Sequence, residues 1–204
     1  MIKQITNPIM EEQLVIFRDK NSSVQEVNKA VDLISVYLAG ETSKLLEVKK
    51  KVVETPLGMA DGIEIIENIE LIPIARAGLA MLPAFEKLLP CCHVGLICAS
   101  RNVDLTVNIL YNKISVDLSE KTVIILDTML ATGSTINKVI SLVQERNCKK
   151  IIVVCVLATP LGIENIEKRI DVPIVAVGIN EQLDNKNYVY PGVGDSGDRL
   201  FGEN

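Results

Sequence analysis

The sequence predicts an α/β fold in which a central, mostly parallel sheet is flanked by helices. Short runs rich in Ile, Val and Leu are predicted as strands, at residues 71–74, 94–98, 122–126, 151–157 and 172–177. Segments with helical spacing lie between most of these runs, which indicates crossover connections between parallel strands. Aromatic residues make up only 3% of the chain and Trp is absent, so aliphatic side chains must build the core. Such side chains suit a parallel sheet buried on both faces.

The first part of the chain carries a helix signal and a charged insertion. Residues 21–23 predict the N-terminal cap of a helix that runs to about residue 38. Residues 41–67 are rich in Lys and Glu around a turn at residues 55–58. We expect this segment to form an added hairpin whose charges simply face solvent.

The second half carries an arm and a clear amphipathic helix. Residues 106–114 alternate weakly in polarity and predict a hairpin or arm over the carboxyl edge of the sheet. A helix is predicted soon after the strand at residues 122–126. Apolar side chains recur there at helical spacing, at Ile136, Val139, Ile140 and Val143.

Length and charge restrict the class of protein. With 204 residues the chain is long enough for one α/β core, and we expect a single domain over residues 1–204. A net charge of -5 disfavours a nucleic-acid-binding face. We expect no membrane span, because no apolar run approaches the roughly 20 residues that a span needs. The chain begins without a charged-then-apolar leader, so we expect a cytoplasmic protein.

The cysteines and the single histidine do not suggest a metal centre. The five cysteines lack C-x-x-C spacing and lie mostly in apolar runs, so we expect reduced, structural thiols. His93 is the only histidine and follows Cys92 at the start of an apolar strand. We therefore expect no protein metal site, and no nucleophile that depends on a histidine base.

The most specialised segment is residues 123–135, where a strand ends in Asp127 and continues into a small, hydroxyl-rich turn. The turn precedes a helix, so unpaired N–H groups and the helix dipole favour an anion there. Thr132 and Ser134 add hydroxyl donors, and Gly133 permits a close backbone approach. A sugar phosphate fits this loop, with Asp127 accepting hydrogen bonds from sugar hydroxyls. A purely structural role, in which these residues cap the helix, is the alternative.

Two further segments carry chemistry. Arg76 follows an apolar strand and precedes Ala77 and Gly78, which leave main-chain donors open beside a guanidinium. This pattern suits pyrophosphate, or else a surface ion pair. Residues 188–202 lack hydrophobic periodicity and surround two aspartates with glycines. Such a loop can match a nucleobase edge with main-chain groups, or it is a plain surface turn. The Walker spacing G-x-x-x-x-G-K-[ST] is absent, which disfavours nucleoside-triphosphate hydrolysis.

These three segments, in this order, resemble those of the uracil phosphoribosyltransferase family. The resemblance extends to residues 14–19, to residues 54–58 and to Arg101 with Asn102, and it spans nearly the whole chain. It implies the type I phosphoribosyltransferase fold, with an added hairpin and a β-arm. It also implies transfer of the phosphoribosyl group of phosphoribosyl pyrophosphate to uracil, giving UMP and pyrophosphate.

The resemblance assigns roles to individual residues. Phosphoribosyl pyrophosphate is expected to contact Arg76, Arg101, Asp127, Thr128, Met129, Leu130, Ala131, Thr132, Gly133, Ser134, Thr135 and Asp195. Uracil is expected to contact Val189, Gly194, Asp195 and Ser196. Within these sets, the catalytic residues are expected to be Asp127, Arg76 and Asp195. Mg²⁺ is the expected cofactor, held largely by substrate phosphates, so no dedicated protein ligand cluster is needed. A homo-oligomer, dimer or tetramer, is expected, and GTP activates some relatives.

The chain also departs from the family pattern. Acidic residues and a threonine usually follow the second arginine, whereas this chain has Val103, Asp104 and Leu105 after Asn102 and is one residue shorter. Thr128 replaces a usual proline, and Ser134 replaces a second loop glycine. Two alternatives stay open: a phosphoribosyltransferase for another base, and a nucleotide-sensing regulator of similar fold that binds RNA. The acidic balance disfavours the regulator.

Overall fold

The computed structural model describes residues 2–89, 92–102, 106–179, 182–185 and 187–202, without the side chain of Arg101. The strands are β1 (Ile2–Gln4), β2 (Val48–Thr55), β3 (Gly58–Ile65), β4 (Asn68–Ala75), β5 (His93–Val94), β6 (Leu96–Arg101), β7 (Val107–Lys113), β8 (Lys121–Leu130), β9 (Lys150–Ala158), β10 (Ile174–Gly178), β11 (Gln182–Leu183) and β12 (Val189–Tyr190). The helices are α1 (Pro8–Arg18), α2 (Val24–Ser43), α3 (Leu82–Leu88), α4 (Ser134–Gln144), α5 (Pro160–Glu167) and α6 (Ser196–Phe201), with a 3-10 turn at Ala77–Ala80.

The main sheet confirms the predicted architecture. Its strand order is β1-β10-β9-β8-β4-β6-β7, and β5 also pairs with β4. All pairs in this sheet are parallel except β6 with β7. One apolar cluster packs α1, α2 and α3 against one face, and a second packs α4 and α5 against the other. The carboxyl ends of the central strands therefore meet at one edge, where parallel sheets bind ligands.

The strand predicted at residues 94–98 is interrupted. Gly95 separates β5 from β6, and its backbone lies close to other chain segments. A Cβ atom at Gly95 would lie 2.8 Å from Cγ2 of Ile114 and 3.1 Å from Oε1 of Glu70. The strand is thus interrupted where its backbone packs closely against residues that are distant in sequence. The periodicity of apolar residues along the strand contains no information about such a contact.

The start of α2 and the buried face of α4 are as the sequence predicts. Ser23 caps α2 in a capping box with Glu26, because the Ser23 side chain accepts from the Glu26 N–H and the Glu26 carboxylate accepts from the Ser23 N–H. The helix runs to Ser43, beyond the predicted end near residue 38, since its buried face continues through Ala39 and Thr42. In α4, all four residues predicted to be apolar-facing are buried.

The added hairpin is shorter than predicted, and its charges are not all solvated. Strands β2 and β3 pair antiparallel, but the segment's first residues complete α2. Lys49 and Lys51 form exposed ion pairs with Glu64 at 3.0 Å each. Glu67, by contrast, has a fully buried carboxylate that accepts hydrogen bonds from the Thr122 hydroxyl at 2.6 Å and the Glu47 N–H at 2.8 Å. For Glu67 the expectation of a solvated charge is wrong.

The predicted arm forms a strand of the main sheet. Residues 107–113 make β7, which pairs antiparallel with β6 and shifts register between Cys98 and Ala99. The departure at Val103, Asp104 and Leu105 lies outside the described residues. Within the described ranges, every helix is too short or too polar to cross a membrane.

A buried ion pair ties the amino end of β4 to that of β8. The carboxylate of Glu70 is 1% exposed and accepts from Lys121 Nζ at 2.8 Å and from the Ser115 N–H at 2.7 Å. Burial acts to raise the pKa of Glu70, but the hydrogen bonds from Lys121 and Ser115 outweigh it and leave the pKa below the ordinary value of 4.5. The ionised carboxylate therefore stabilises the folded chain above that pH.

We expect Glu70→Gln to lower the free energy of unfolding by about 2 kcal/mol at pH 7, since it leaves the nearly buried Lys121 ammonium without its counter-charge. Urea unfolding measures the change. The difference from wild type should shrink as the pH falls below 4.5 and the wild-type Glu70 takes up a proton. The exposed, neighbouring Glu120→Gln is the matched control and should change stability by less than about 0.5 kcal/mol. A Glu70→Gln loss that persists unchanged to pH 3 would contradict this account.

Candidate active site

Three predicted segments converge on one cleft at the carboxyl edge of the sheet. The cleft has a volume of about 660 Å³, within the usual range for a small-molecule site. Strand β4 contributes its end and the following Arg76, strand β8 contributes Asp127, and the loop before α6 contributes Asp195. Parallel pairing of β4 with β8 brings the first two together, since Pro73 lies opposite Leu126.

The turn between β8 and α4 has the form expected of an anion cradle. Gly133 is the N-cap of α4 and adopts a left-handed conformation with φ 80°. Because glycine has no side chain, it does not cover the positive end of the helix dipole, although the Ser134 N–H donates a long hydrogen bond to the Thr132 hydroxyl at 3.4 Å. Ser134, which replaces a usual glycine, is the first residue of α4 and is helical. The positive φ of this turn is at Gly133, so Ser134 does not need glycine's conformational freedom. The Thr132 and Ser134 hydroxyls hydrogen bond to each other at 3.0 Å beside these groups.

Helix α5 holds the cradle from behind. The N–H of Thr159 donates to the Leu130 carbonyl at 2.9 Å, and its hydroxyl donates to the Ala131 carbonyl at 2.6 Å. The side-chain amide of Asn165 donates to the Thr132 carbonyl at 3.1 Å. Three successive carbonyl groups therefore face α5 and the end of β9. In a trans peptide the N–H points opposite to the carbonyl, so the N–H groups that follow are turned away from α5.

Arg76 is held in place by an acid from the C-terminal segment. Its guanidinium forms an ion pair with the Asp198 carboxylate, although both side chains are about two-fifths exposed. The peptide bond between Ala75 and Arg76 is cis. Gly197 lies beneath the pair, since a Cβ atom there would be 3.3 Å from Nη2 of Arg76. The Arg76 head group is thus positioned at the mouth of the cleft.

The C-terminal loop is more regular than the sequence indicates. It contains α6, whose N-cap Asp195 accepts the N–H of Asp198 at 3.1 Å. Ser196 is the first residue of this helix, and its hydroxyl lies 2.8 Å from the hydroxyl of Thr128 on β8. We predicted no helix here because six residues are too few to show a periodicity.

The structure brings most of the predicted residues together. Those that line the cleft are Arg76, Asp127, Met129, Ala131, Thr135, Val189, Gly194, Asp195 and Ser196. Thr132 and Gly133 lie in the adjoining turn, and Ser134 begins α4 directly after it. Thr128 and Leu130 have fully buried side chains, so any contact of theirs with a ligand would be through the main chain. The Arg101 side chain lies outside the described residues, and its role stays a prediction.

Sequence reasoning missed several contributors. Asn102, Asn187 and Tyr188 also line the cleft, and Tyr188 directly precedes the predicted Val189. Thr159 was missed as a support of the cradle. Its position before Pro160 is a typical helix N-cap signal, but that signal carries no information about the Ala131 carbonyl it also contacts.

The thiols lie apart from the chemistry of the cleft. Cys92, Cys98, Cys148 and Cys155 are free cysteines, and Cys91 lies outside the described residues. Cys155 is directly opposite Asp127 in the sheet. Burial, with a smaller contribution from the Asp127 charge, raises the pKa of the Cys155 thiol far above its usual range. Across the part of the chain that is described, no cluster of three or more His, Cys, Asp or Glu side chains is arranged to hold a metal ion.

Comparison with known proteins gives one consistent family. The family model for uracil phosphoribosyltransferase matches residues 4–203. Uracil phosphoribosyltransferase from Oceanobacillus iheyensis is 36% identical over 199 residues, which covers 96% of this chain and 95% of that protein. A solved structure of a protein from Aquifex aeolicus has a TM-score of 0.91 at 31% identity, covering 99% of this chain and 98% of that chain.

A more distant structure shows the fold alone. A purine phosphoribosyltransferase from Pyrococcus horikoshii has a TM-score of 0.54 at 21% identity, covering 75% of this chain and 84% of that chain. The phosphoribosyltransferase fold expected from the resemblance is therefore confirmed.

Two glycines test how closely α5 packs on the cradle. A Cβ atom at Gly162 would lie 2.3 Å from the Ala131 carbonyl oxygen, whereas one at the helical Gly40 would meet nothing within 4 Å. We expect Gly162→Ala to lower the free energy of unfolding by about 1–3 kcal/mol, because the methyl group must displace loop backbone. The matched Gly40→Ala should raise it by about 0.5–1 kcal/mol, because alanine favours helix. Denaturant unfolding measures both, and equal effects of the two substitutions would contradict the close packing.

Proposed function

Because the chain belongs to the uracil phosphoribosyltransferase family, we propose that the cleft at the carboxyl edge of its sheet carries the family's reaction. The enzyme transfers the phosphoribosyl group of phosphoribosyl pyrophosphate to uracil, giving UMP and pyrophosphate in pyrimidine salvage. The observation that supports this assignment of the site is the convergence of three segments on one cleft. Each segment suits a different part of the two substrates: the ribose 5-phosphate, the pyrophosphate or the uracil.

The turn between β8 and α4 is proposed to bind the 5-phosphate. Its outward N–H groups, the N-terminus of α4 and the hydroxyls of Thr132, Ser134 and Thr135 form a dense set of donors. Asp127 lies on β8, three residues before the strand ends at Leu130, so the prediction that the strand ends at Asp127 is wrong. The residue still lines the cleft. Its carboxylate is the acceptor that we assign to the ribose hydroxyls. Together these groups fix the sugar relative to the sheet.

The pyrophosphate is assigned to the turn after β4. Arg76 presents a guanidinium there, and Ala77 and Gly78 begin a 3-10 turn of small residues beside it. Gly78 packs against the end of β8, since a Cβ atom there would lie 2.3 Å from the Leu126 carbonyl oxygen. The turn therefore lies against the strand that carries Asp127. Negative charge that develops on the leaving group is stabilised at this end of the cleft.

Mg²⁺ fits the chemistry of the cleft. Asp127 and Asp195 both line the cleft, and the carboxylate oxygens of aspartate are hard ligands that suit Mg²⁺. These two residues, with the substrate phosphates, would hold the ion. Bound there, it would neutralise charge on the departing pyrophosphate.

Uracil is assigned to the loop that runs from β12 into α6. Val189 is largely buried, and Gly194 presents unobstructed main chain, since a Cβ atom there would meet nothing within 4 Å. Main-chain donors and acceptors of this loop can match the alternating edge of a pyrimidine-2,4-dione. The uracil nitrogen is then held on the side of the ribose opposite to pyrophosphate. Catalysis needs no covalent nucleophile and consists of positioning and electrostatic stabilisation.

We further propose that the enzyme works as a homo-oligomer joined through the hairpin of β2 and β3. Residues paired across this hairpin share a face, and one face carries Val48, Val52, Met59, Ile63 and Ile65, interspersed with Lys50, Glu54 and Asp61. These side chains are between 40% and 70% exposed. A two-stranded hairpin is marginal in water, so five exposed apolar side chains on one mixed face favour a covering surface that also carries charges. A second copy of the chain is the partner that the family resemblance implies.

Two further assignments rest on the sequence or on the resemblance. A cytoplasmic location and activation by GTP stay predictions.

The activity is tested by incubating the purified chain with uracil, phosphoribosyl pyrophosphate and Mg²⁺ and measuring UMP by chromatography. We expect UMP from the wild type, loss of turnover when Mg²⁺ is chelated, and a kcat/KM at least about 100-fold lower for Asp127→Asn, because the sugar loses its charged acceptor. Asp32→Asn, an exposed site on α2, is the matched control and should retain full activity. Absence of UMP with uracil, together with turnover of another base, would contradict the assignment.

The oligomer is tested on the two faces of the hairpin. We expect Ile63→Lys to shift the sedimentation equilibrium towards single chains, because it places a charge among the exposed apolar residues. Val53→Lys lies on the opposite face and should leave the association unchanged. A wild-type chain that sediments as a monomer would rule out the proposed oligomer.

A further inference from the structure

A buried pair of hydroxyl groups joins the strand that carries Asp127 to the helix that follows Asp195. The Oγ1 atom of Thr128 and the Oγ atom of Ser196 lie 2.8 Å apart, and either can donate. Thr128 is fully buried and Ser196 is only 8% exposed. The two residues are separated by 68 positions in the sequence, so this bond connects distant parts of the chain.

The surroundings of the pair make each hydroxyl depend on the other. Leu126, Val193 and Leu200 are close neighbours in sequence of the two hydroxyl residues, and they are buried in one apolar cluster. A buried hydroxyl without a hydrogen-bond partner loses its hydrogen bonds to water and gains none within the protein, which destabilises the fold. The hydrogen bond therefore fixes the separation between this part of β8 and the start of α6.

The pair lies directly behind the reacting groups. Thr128 follows Asp127, and Ser196 follows Asp195, and both acids line the cleft. Thr128 itself faces away from the cleft, into the core. In the usual family pattern this position is a proline, which has no hydroxyl, so the resemblance does not supply this bond. The Thr128 side chain can therefore act on the reaction only through the segment that it holds.

We propose that the hydrogen bond between Thr128 and Ser196 positions the uracil-binding loop against the phosphoribosyl-binding turn, and so sets the distance across which the bond to the base forms. The proposal rests on the proposed function, since it assigns the two sides of the link to the two substrates. Thr128 is a positioning residue in this scheme. Reacting atoms must be aligned closely, and a misplacement of about 1 Å can cost 100-fold in rate.

The effect of losing the bond falls unequally on the two substrates. The phosphoribosyl turn has its own supports, because Thr159 and Asn165 hold its carbonyl groups. The uracil loop leads into α6, a helix of six residues whose first side chain is Ser196. The rest of α6 is held by Asn28, which donates to the Leu200 carbonyl at 2.7 Å, and by the ion pair between Asp198 and Arg76. Breaking the link therefore frees only the start of α6 and the loop before it, and leaves the phosphate side in place.

A double-mutant cycle on steady-state kinetics tests the link. We expect Thr128→Val and Ser196→Ala each to lower kcat/KM for uracil by about tenfold, since each leaves one buried hydroxyl without its partner. The double variant should also lose only about tenfold, because neither hydroxyl then remains. Thr128→Ser keeps the hydroxyl and should stay within about threefold of wild type. The dissociation constant of phosphoribosyl pyrophosphate, measured by calorimetry without uracil, should change less than twofold throughout.

The outcomes separate the possible failures. A double variant that loses about 100-fold shows independent effects and overturns the link, as does a parallel rise in the dissociation constant of phosphoribosyl pyrophosphate. No UMP from the wild type overturns the proposed function itself, and the kinetic role of the link with it. Thermal unfolding checks that each variant is folded. If Thr128→Val does not fold, Thr128→Cys takes its place in the cycle, because a thiol is only a weak donor.

Discussion

The parallel pairing of β8 with β4 on one side and β9 on the other is the constraint on which the site depends. Main-chain hydrogen bonds hold the three strands in register, with Pro73 opposite Leu126 and Asp127 opposite Cys155. The strands run the same way, so their carboxyl ends open on one edge. The turn that follows each strand then reaches the same cleft. The sheet interior of Ile, Val and Leu thus determines where the polar chemistry lies.

The turns at this edge are held by hydrogen bonds on the side away from the cleft. Buried carbonyl groups must find donors, and in the turn after β8 the donors come from Thr159 and Asn165. In the C-terminal loop, Asp195 satisfies an N–H of α6, and the Thr128 and Ser196 hydroxyls satisfy each other. With these carbonyl groups paired from behind, the N–H groups that follow them are turned away from α5, as the proposed phosphate site requires. Positioning of the substrates is therefore built into the packing of the domain.

Local signals were enough to predict much of the fold. Strands of continuous aliphatic residues, the Ser23 cap and the buried stripe of α4 were found in the structure because each depends on neighbours in sequence. The resemblance supplied the order of the three site segments, and Arg76, Asp127 and Asp195 do line one cleft.

The features that were missed depend on contacts between distant residues. The buried Glu67 carboxylate accepts hydrogen bonds from Thr122 and Glu47. The sequence around Glu67 does not predict those partners. The break at Gly95 likewise follows from the approach of Ile114. Helix α6 is too short to show a period, and the pairing of Arg76 with Asp198 spans 122 positions.

That ion pair also determines what a ligand meets on arrival. An arginine side chain loses roughly 2 kcal/mol of rotamer freedom when it is immobilised. Asp198 already pairs with Arg76, so in the proposed function an incoming pyrophosphate group would meet a partly ordered guanidinium and compete with a carboxylate for it. Binding is then an exchange of one anion for another at a fixed cation, and release of the product lets the carboxylate return. In that scheme the resting counter-ion of Arg76 is a carboxylate of the chain itself.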